Sequence, residues 1–166
     1  EPLEKPAFAK VQRSSNAAPE RAETGTLNHE GIAGTTAAVD FLASLSKGAN
    51  CIDRLQTTYA SLDERSAALT EQMWRGLAEI DGVTLFGVPP DAARTSTIAF
   101  TVKGTASSEV ARRLADRGVF VSHGNFYAAT VVERYGLGAE GFVRAGCACS
   151  TTPAEVDRLL DEGGAI

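Results

Sequence analysis

The sequence predicts an α+β domain in which a short, mostly antiparallel sheet is covered by helices, one of them long and amphipathic. Two observations carry this. Ile52, Leu55, Tyr59, Leu62, Leu69, Met73, Leu77 and Ile80 recur at steps of three and four, with Ser66 in the one gap. Asp53, Arg54, Asp63, Glu64, Arg65, Glu71 and Arg75 occupy the opposite face, so a single helix presents one apolar stripe to a core. After Asp81-Gly82 the pattern changes to short β-rich runs alternating with helical ones.

Upstream of the long helix, residues 1–26 hold Pro2, Pro6 and Pro19 and little periodicity, and read as an extended lead-in. From His29 to Leu45 apolar residues return at helical spacing, with Gly31, Ala33, Gly34, Ala37 and Ala38 suited to close packing against another backbone. Lys47-Gly48 supplies a stop. The expected division is therefore a connecting segment with a helix over 1–48, and a small α+β domain over 49–166.

Within that domain, 83–86 is a short strand and 97–102 alternates with period two. Residues 106–117 form a helix with Gly118 just past its end, and 119–121 a strand. A short helix over 128–135 stops at Gly136, and a strand spans 141–149. Thr152-Pro153-Ala154-Glu155 is a capping box opening the last helix, with Val156, Leu159 and Leu160 apolar.

Composition narrows the function. The 166 residues are 43% hydrophobic and 22% charged, which places the chain among globular proteins. A net charge of −5 argues against a nucleic-acid or anionic-lipid partner, and no apolar run is long enough to cross a bilayer. Three cysteines, an odd count, argue against a disulfide framework and favour a cytoplasmic setting.

Four clusters carry chemistry. Glu23 to Gly31 precedes a helix and offers Thr24, Gly25, Thr26, Asn28 and His29. These are either a phosphate cradle or a capped helix start with Asn28 or Thr26 as the cap. Ser122-His123-Gly124-Asn125-Phe126-Tyr127 follows a strand. His123 there is an acid, base or stacking group, or a loop histidine without a role. Arg144 stands alone in an apolar strand and needs either an internal acid or a substrate carboxylate. Cys147 and Cys149 fall on one face of that strand and read as core cysteines, since two ligands do not close a zinc site.

At these clusters the chain resembles the C-terminal part of the class V aminotransferase and cysteine desulfurase superfamily, pyridoxal-phosphate enzymes of fold type I. Pro19 to Gly34 resembles the family's Glu-x-Gly-Thr segment and the helix after it. Val119 to Tyr127 resembles its strand and active-site loop. Val143-Arg144-Ala145-Gly146, with Thr152 to Leu159, resembles its substrate-arginine strand and closing helix.

The resemblance implies a homodimer with shared active sites. Gly25 and Thr26 would reach the phosphate of the partner subunit's pyridoxal 5'-phosphate, with Asn28 and His29 nearby. Arg144 would bind the carboxylate of a small amino acid, with Asn125 and Tyr127 beside it and His123 facing the substrate. The family's Schiff-base lysine lies upstream of the Gly-Thr segment, and Lys5, Lys10, Lys47 and Lys103 do not match its context. The chain is thus expected to be part of a longer enzyme and inactive alone. Two features depart from the desulfurase pattern. Tyr127 occupies the position of the nucleophilic cysteine, and Ser122 or His123 that of a loop arginine. The other expectation is a non-catalytic binding or regulatory module that keeps the small-domain fold.

Overall fold

A computed structural model describes Ala17, Pro19 and residues 25–166. The rest of the lead-in, with Glu23 and Thr24 of the first cluster, lies outside the described residues. The chain divides into two compact units, Glu1–Leu55 and Gln56–Ile166.

In the first unit, α1 runs over His29–Ser44. Asn28 caps it, its Oδ1 accepting from Gly31 N at 2.8 Å, so the cap is Asn28 and not Thr26. Leu45 N donates to Leu42 O as the helix closes, three residues before Gly48. Ile32 and Phe41 of α1 and Leu45 at its C-cap are exposed, which leaves apolar surface of the kind that calls for a covering partner. Asn50 then opens α2, Cys51–Glu79, by a reciprocal pair: Asp53 N donates to Asn50 Oδ1 at 3.0 Å, and Asn50 Nδ2 to Asp53 Oδ2 at 2.9 Å.

In the second unit the rest of α2 packs on a four-stranded sheet. The strands are β1 (Val83–Phe86), β2 (Thr97–Val102), β3 (Ser122–Gly124) and β4 (Phe142–Gly146), in the order β1-β2-β4-β3. Every pairing is antiparallel. The helices α3 (Ser107–Asp116), α4 (Ala129–Arg134) and α5 (Pro153–Gly163) complete it. Ile98 and Phe100 of β2 and Val143 and Ala145 of β4 alternate onto one face, where they join Met73 and Leu77 of α2, Val110 and Leu114 of α3, and Val156 and Leu159 of α5. The α+β expectation therefore holds, with the long helix in place.

Three stretches differ from the sequence reading. Ile52 and Tyr59 of the expected stripe are exposed, and burial in α2 is concentrated from Leu69 onward. A 29-residue helix is about 43 Å long, against about 20 Å for a six-residue strand, so one small sheet cannot cover it.

Residues 119–121 do not form a strand. Val119 N donates to Leu114 O and Gly118 N to Ala115 O, the paired bonds of a Schellman helix end, with Gly118 at φ +77°. Strand pairing begins only at Ser122.

The strand expected over 141–149 stops at Gly146. Cys147 N is held by Ser96 O at 2.9 Å, and Ala148 N by Thr151 Oγ1 at 2.9 Å. The two cysteines are therefore not neighbours on one strand face, and Cys149 is exposed instead of core. Cys147 is half-buried, and its burial pushes its thiol pKa up.

The start of α3 has no side-chain cap from its own Ala106. Glu140, from the loop before β4, takes that place, its Oε2 accepting from Ser108 N at 3.1 Å and Ser108 Oγ at 2.8 Å. These donors hold the Glu140 carboxyl below the usual carboxylate range. The capping box of α5 forms as the sequence indicates, with Thr152 N donating to Glu155 Oε2 at 2.7 Å and Glu155 N to Thr152 Oγ1 at 3.3 Å.

Candidate functional site

The site is built on the sheet face opposite the one that α2, α3 and α5 cover. Antiparallel partners point to the same side, so register decides who shares it. Phe86 pairs with Ala99, Ala99 with Arg144, and Arg144 with Ser122. This row crosses all four strands on the face opposite Val143 and Ala145. Arg144 is exposed and makes no ion pair among the described residues. The internal acid that the sequence left open as its partner is thus absent among the described residues.

Arg144 is engaged by an aromatic ring instead. The Phe126 ring lies under its guanidinium, with Cζ 4.4 Å from the ring centroid, well inside cation–π range. One edge of the same face is packed by Phe86, Phe142 and Tyr135, which meet edge to face with centroids 4.9–6.1 Å apart.

Phe126 belongs to the tight turn that leaves β3. Gly124 sits at φ +120°, Phe126 at +50° and Tyr127 at +61°. Left-handed backbone at two successive non-glycine residues is strained and needs local support. Asn125 supplies it: its Oδ1 accepts from Tyr127 N at 3.0 Å, and its carbonyl accepts from Ala128 N at 2.8 Å. Gly141 packs on the base of the turn, since a Cβ there would run into the Gly124 carbonyl and stand 2.9 Å from Asn125 N. Tyr127 projects fully into solvent.

The sequence-selected residues thus separate into groups. Arg144, Asn125 and Tyr127 come together around one strand and one turn. His123 pairs with Val143, so register places it on the other face of the sheet from Arg144. Ser122, and not His123, shares the Arg144 face. Phe126 was missed as a site residue; the signal available was its place two residues after Gly124, in the turn that follows the strand.

Gly25, Thr26, Asn28 and His29 lie in the first unit and are exposed. Asn28 Oδ1 is committed to the helix cap. An added Cβ at Gly25 meets nothing within 4 Å, so the turn is open to an approaching group. The first amides of a helix have no intrahelical acceptor and carry partial positive charge, and they combine here with the Thr26 hydroxyl. That donor set suits one side of a phosphate. The described residues contain no group of three or more side chains suited to holding a metal ion.

The fold and this exposed strand arginine define a class. The family model "Aminotransferase class-V" matches residues 5–159, and the chain belongs to that family. It is 33% identical over 145 residues to a probable cysteine desulfurase of Xylella fastidiosa, a match covering 87% of this chain and 31% of that protein. A cysteine desulfurase from Escherichia coli, solved in an S-sulfonic acid form, superposes with a TM-score of 0.70 at 26% identity, over 93% of this chain and 35% of that one. The apo cysteine desulfurase of Thermococcus onnurineus gives 0.64 at 25% identity, over 86% and 32%. The chain thus spans about a third of the length of the proteins it matches.

Proposed function

We propose that the protein carrying this chain is a pyridoxal-phosphate enzyme acting on a small amino acid, and that this chain supplies its carboxylate grip. One observation carries the reading: Arg144 is exposed, free of any ion pair among the described residues and in cation–π contact with Phe126, which leaves its N–H donors available to a planar carboxylate. Pyridoxal phosphate supplies the electron sink for bond breaking at the amino acid's α-carbon.

This chain's residues bind and orient. Arg144 fixes the carboxylate, and the Asn125–Tyr127 turn walls the same side. Gly25, Thr26 and the first amides of α1 donate to the phosphate across a homodimer interface, and the exposed apolar residues of α1 help to form that interface. Tyr127 has no thiol, so no persulfide forms at its position, and the reading does not need one. His123 lies on the other face of the sheet from Arg144, and a proton-handling role on the Arg144 face falls to other groups.

The test is spectroscopic. The protein carrying this chain, purified with pyridoxal phosphate, is expected to absorb in the visible and to change spectrum on adding a small amino acid. A preparation that takes up no cofactor refutes the reading.

A further inference from the structure

We propose that Phe126 is a positioning residue for Arg144, setting the plane in which the guanidinium presents its N–H edge to the substrate carboxylate. The inference rests on the proposed carboxylate role of Arg144. It starts from a mismatch in the site: an exposed arginine side chain is long and mobile, yet a substrate clamp needs it in one orientation. Among the described residues no carboxylate holds Arg144 in place. The Phe126 ring, 4.4 Å from Cζ, is the contact that does.

The geometry suits that purpose. A cation–π contact with Cζ 4.4 Å from the ring centroid uses no hydrogen-bond acceptor, so it does not itself consume the N–H donors that a two-point bond to carboxylate needs. The ring also keeps water from that face and strengthens the charge's pull at its edge. Its aim is fixed by the strained turn. Phe126 at φ +50° and Tyr127 at +61° are pinned by Asn125 Oδ1 and by the Gly124–Gly141 backbone contact. Strain of this kind persists where the surroundings over-determine it, and here it delivers the ring to Arg144, which has no ion pair among the described residues.

The experiment compares Phe126→Leu, Phe126→Tyr and Arg144→Ala in the holoenzyme that carries this chain. Leucine keeps apolar bulk and removes the π face, and tyrosine keeps both. Phe126→Leu is expected to raise KM for the amino acid roughly 2- to 5-fold, the scale of one exposed cation–π contact, with kcat little changed. Phe126→Tyr is expected to restore KM. A ring current shifts the Arg144 Nε–H signal upfield in arginine-labelled protein; the shift is expected to vanish in Phe126→Leu and to persist in Phe126→Tyr. If Arg144→Ala raises KM and Phe126→Leu leaves it unchanged, the positioning role is overturned. The same holds if Phe126→Tyr behaves as Phe126→Leu does. If Arg144→Ala itself leaves KM unchanged, the carboxylate reading fails and takes this one with it.

Discussion

Gly141→Ala tests the joint that holds the turn against the substrate strand. Gly141 has φ +63°, where a Cβ costs about 1–2 kcal/mol for the left-handed backbone alone. The new methyl also meets the Gly124 carbonyl and Asn125 N, both backbone atoms that cannot swing aside as a side chain can. Crowding of that kind adds about 1–3 kcal/mol, so the total is about 2–5 kcal/mol. Gly138→Ala is the control: its φ is +61° and nothing lies within 4 Å of its Cβ position, leaving only the backbone cost of about 1–2 kcal/mol. Native-state hydrogen exchange of peptides covering β3 and β4 reads the local opening free energy directly. Gly141→Ala is expected to lose clearly more protection there than Gly138→Ala. If the two agree within about 0.5 kcal/mol, the scatter of ordinary surface changes, the backbone contact does not hold the turn.

Two further predictions concern stability. Thr152→Ala removes the capping box of α5 and is expected to cost about 0.5–2 kcal/mol, measured by urea denaturation, with Thr152→Ser nearly neutral. Glu109 is held at about 2, below its ordinary 4.5, first by its hydrogen bond to Arg112 and then by that to Arg113. A carboxyl depressed in the folded state stabilises above its unfolded value and loses that contribution as pH falls through the folded one. Native protein should therefore lose stability between about pH 4.5 and 2 more steeply than Glu109→Gln, as read by thermal midpoints across that window; equal slopes would contradict the assignment.

Much of this architecture was legible in residue order, and what was hidden has a common cause. Helices announced themselves by local chemistry: the Leu69–Met73–Leu77 spacing, the Thr152–Glu155 box and Asn28 before α1 each need only neighbours within one or two turns. The strand ends depended on distant partners. Val119-Phe120-Val121 has strand composition, but Val119 N is taken by the end of α3, and Cys147 N by Ser96. Arg144 stood out because a cation in an apolar strand is unusual. His123 attracted attention as one of two histidines, yet the face it occupies follows from its pairing with Val143, a fact of register that the local sequence does not contain. Phe126 looked like one apolar residue among several until the turn's positive φ angles brought its ring to Arg144.

The central claim is that Arg144 reads the carboxylate of an amino acid. The direct measurement compares the affinity of the holoenzyme for a small amino acid with that for the corresponding amino-acid amide, which lacks the charge. Native protein is expected to favour the acid by about 10- to 150-fold, the scale of a charge-assisted hydrogen bond, and Arg144→Ala is expected to bind the two alike. An Arg144→Ala protein that still prefers the acid as strongly as the native one does would contradict the account.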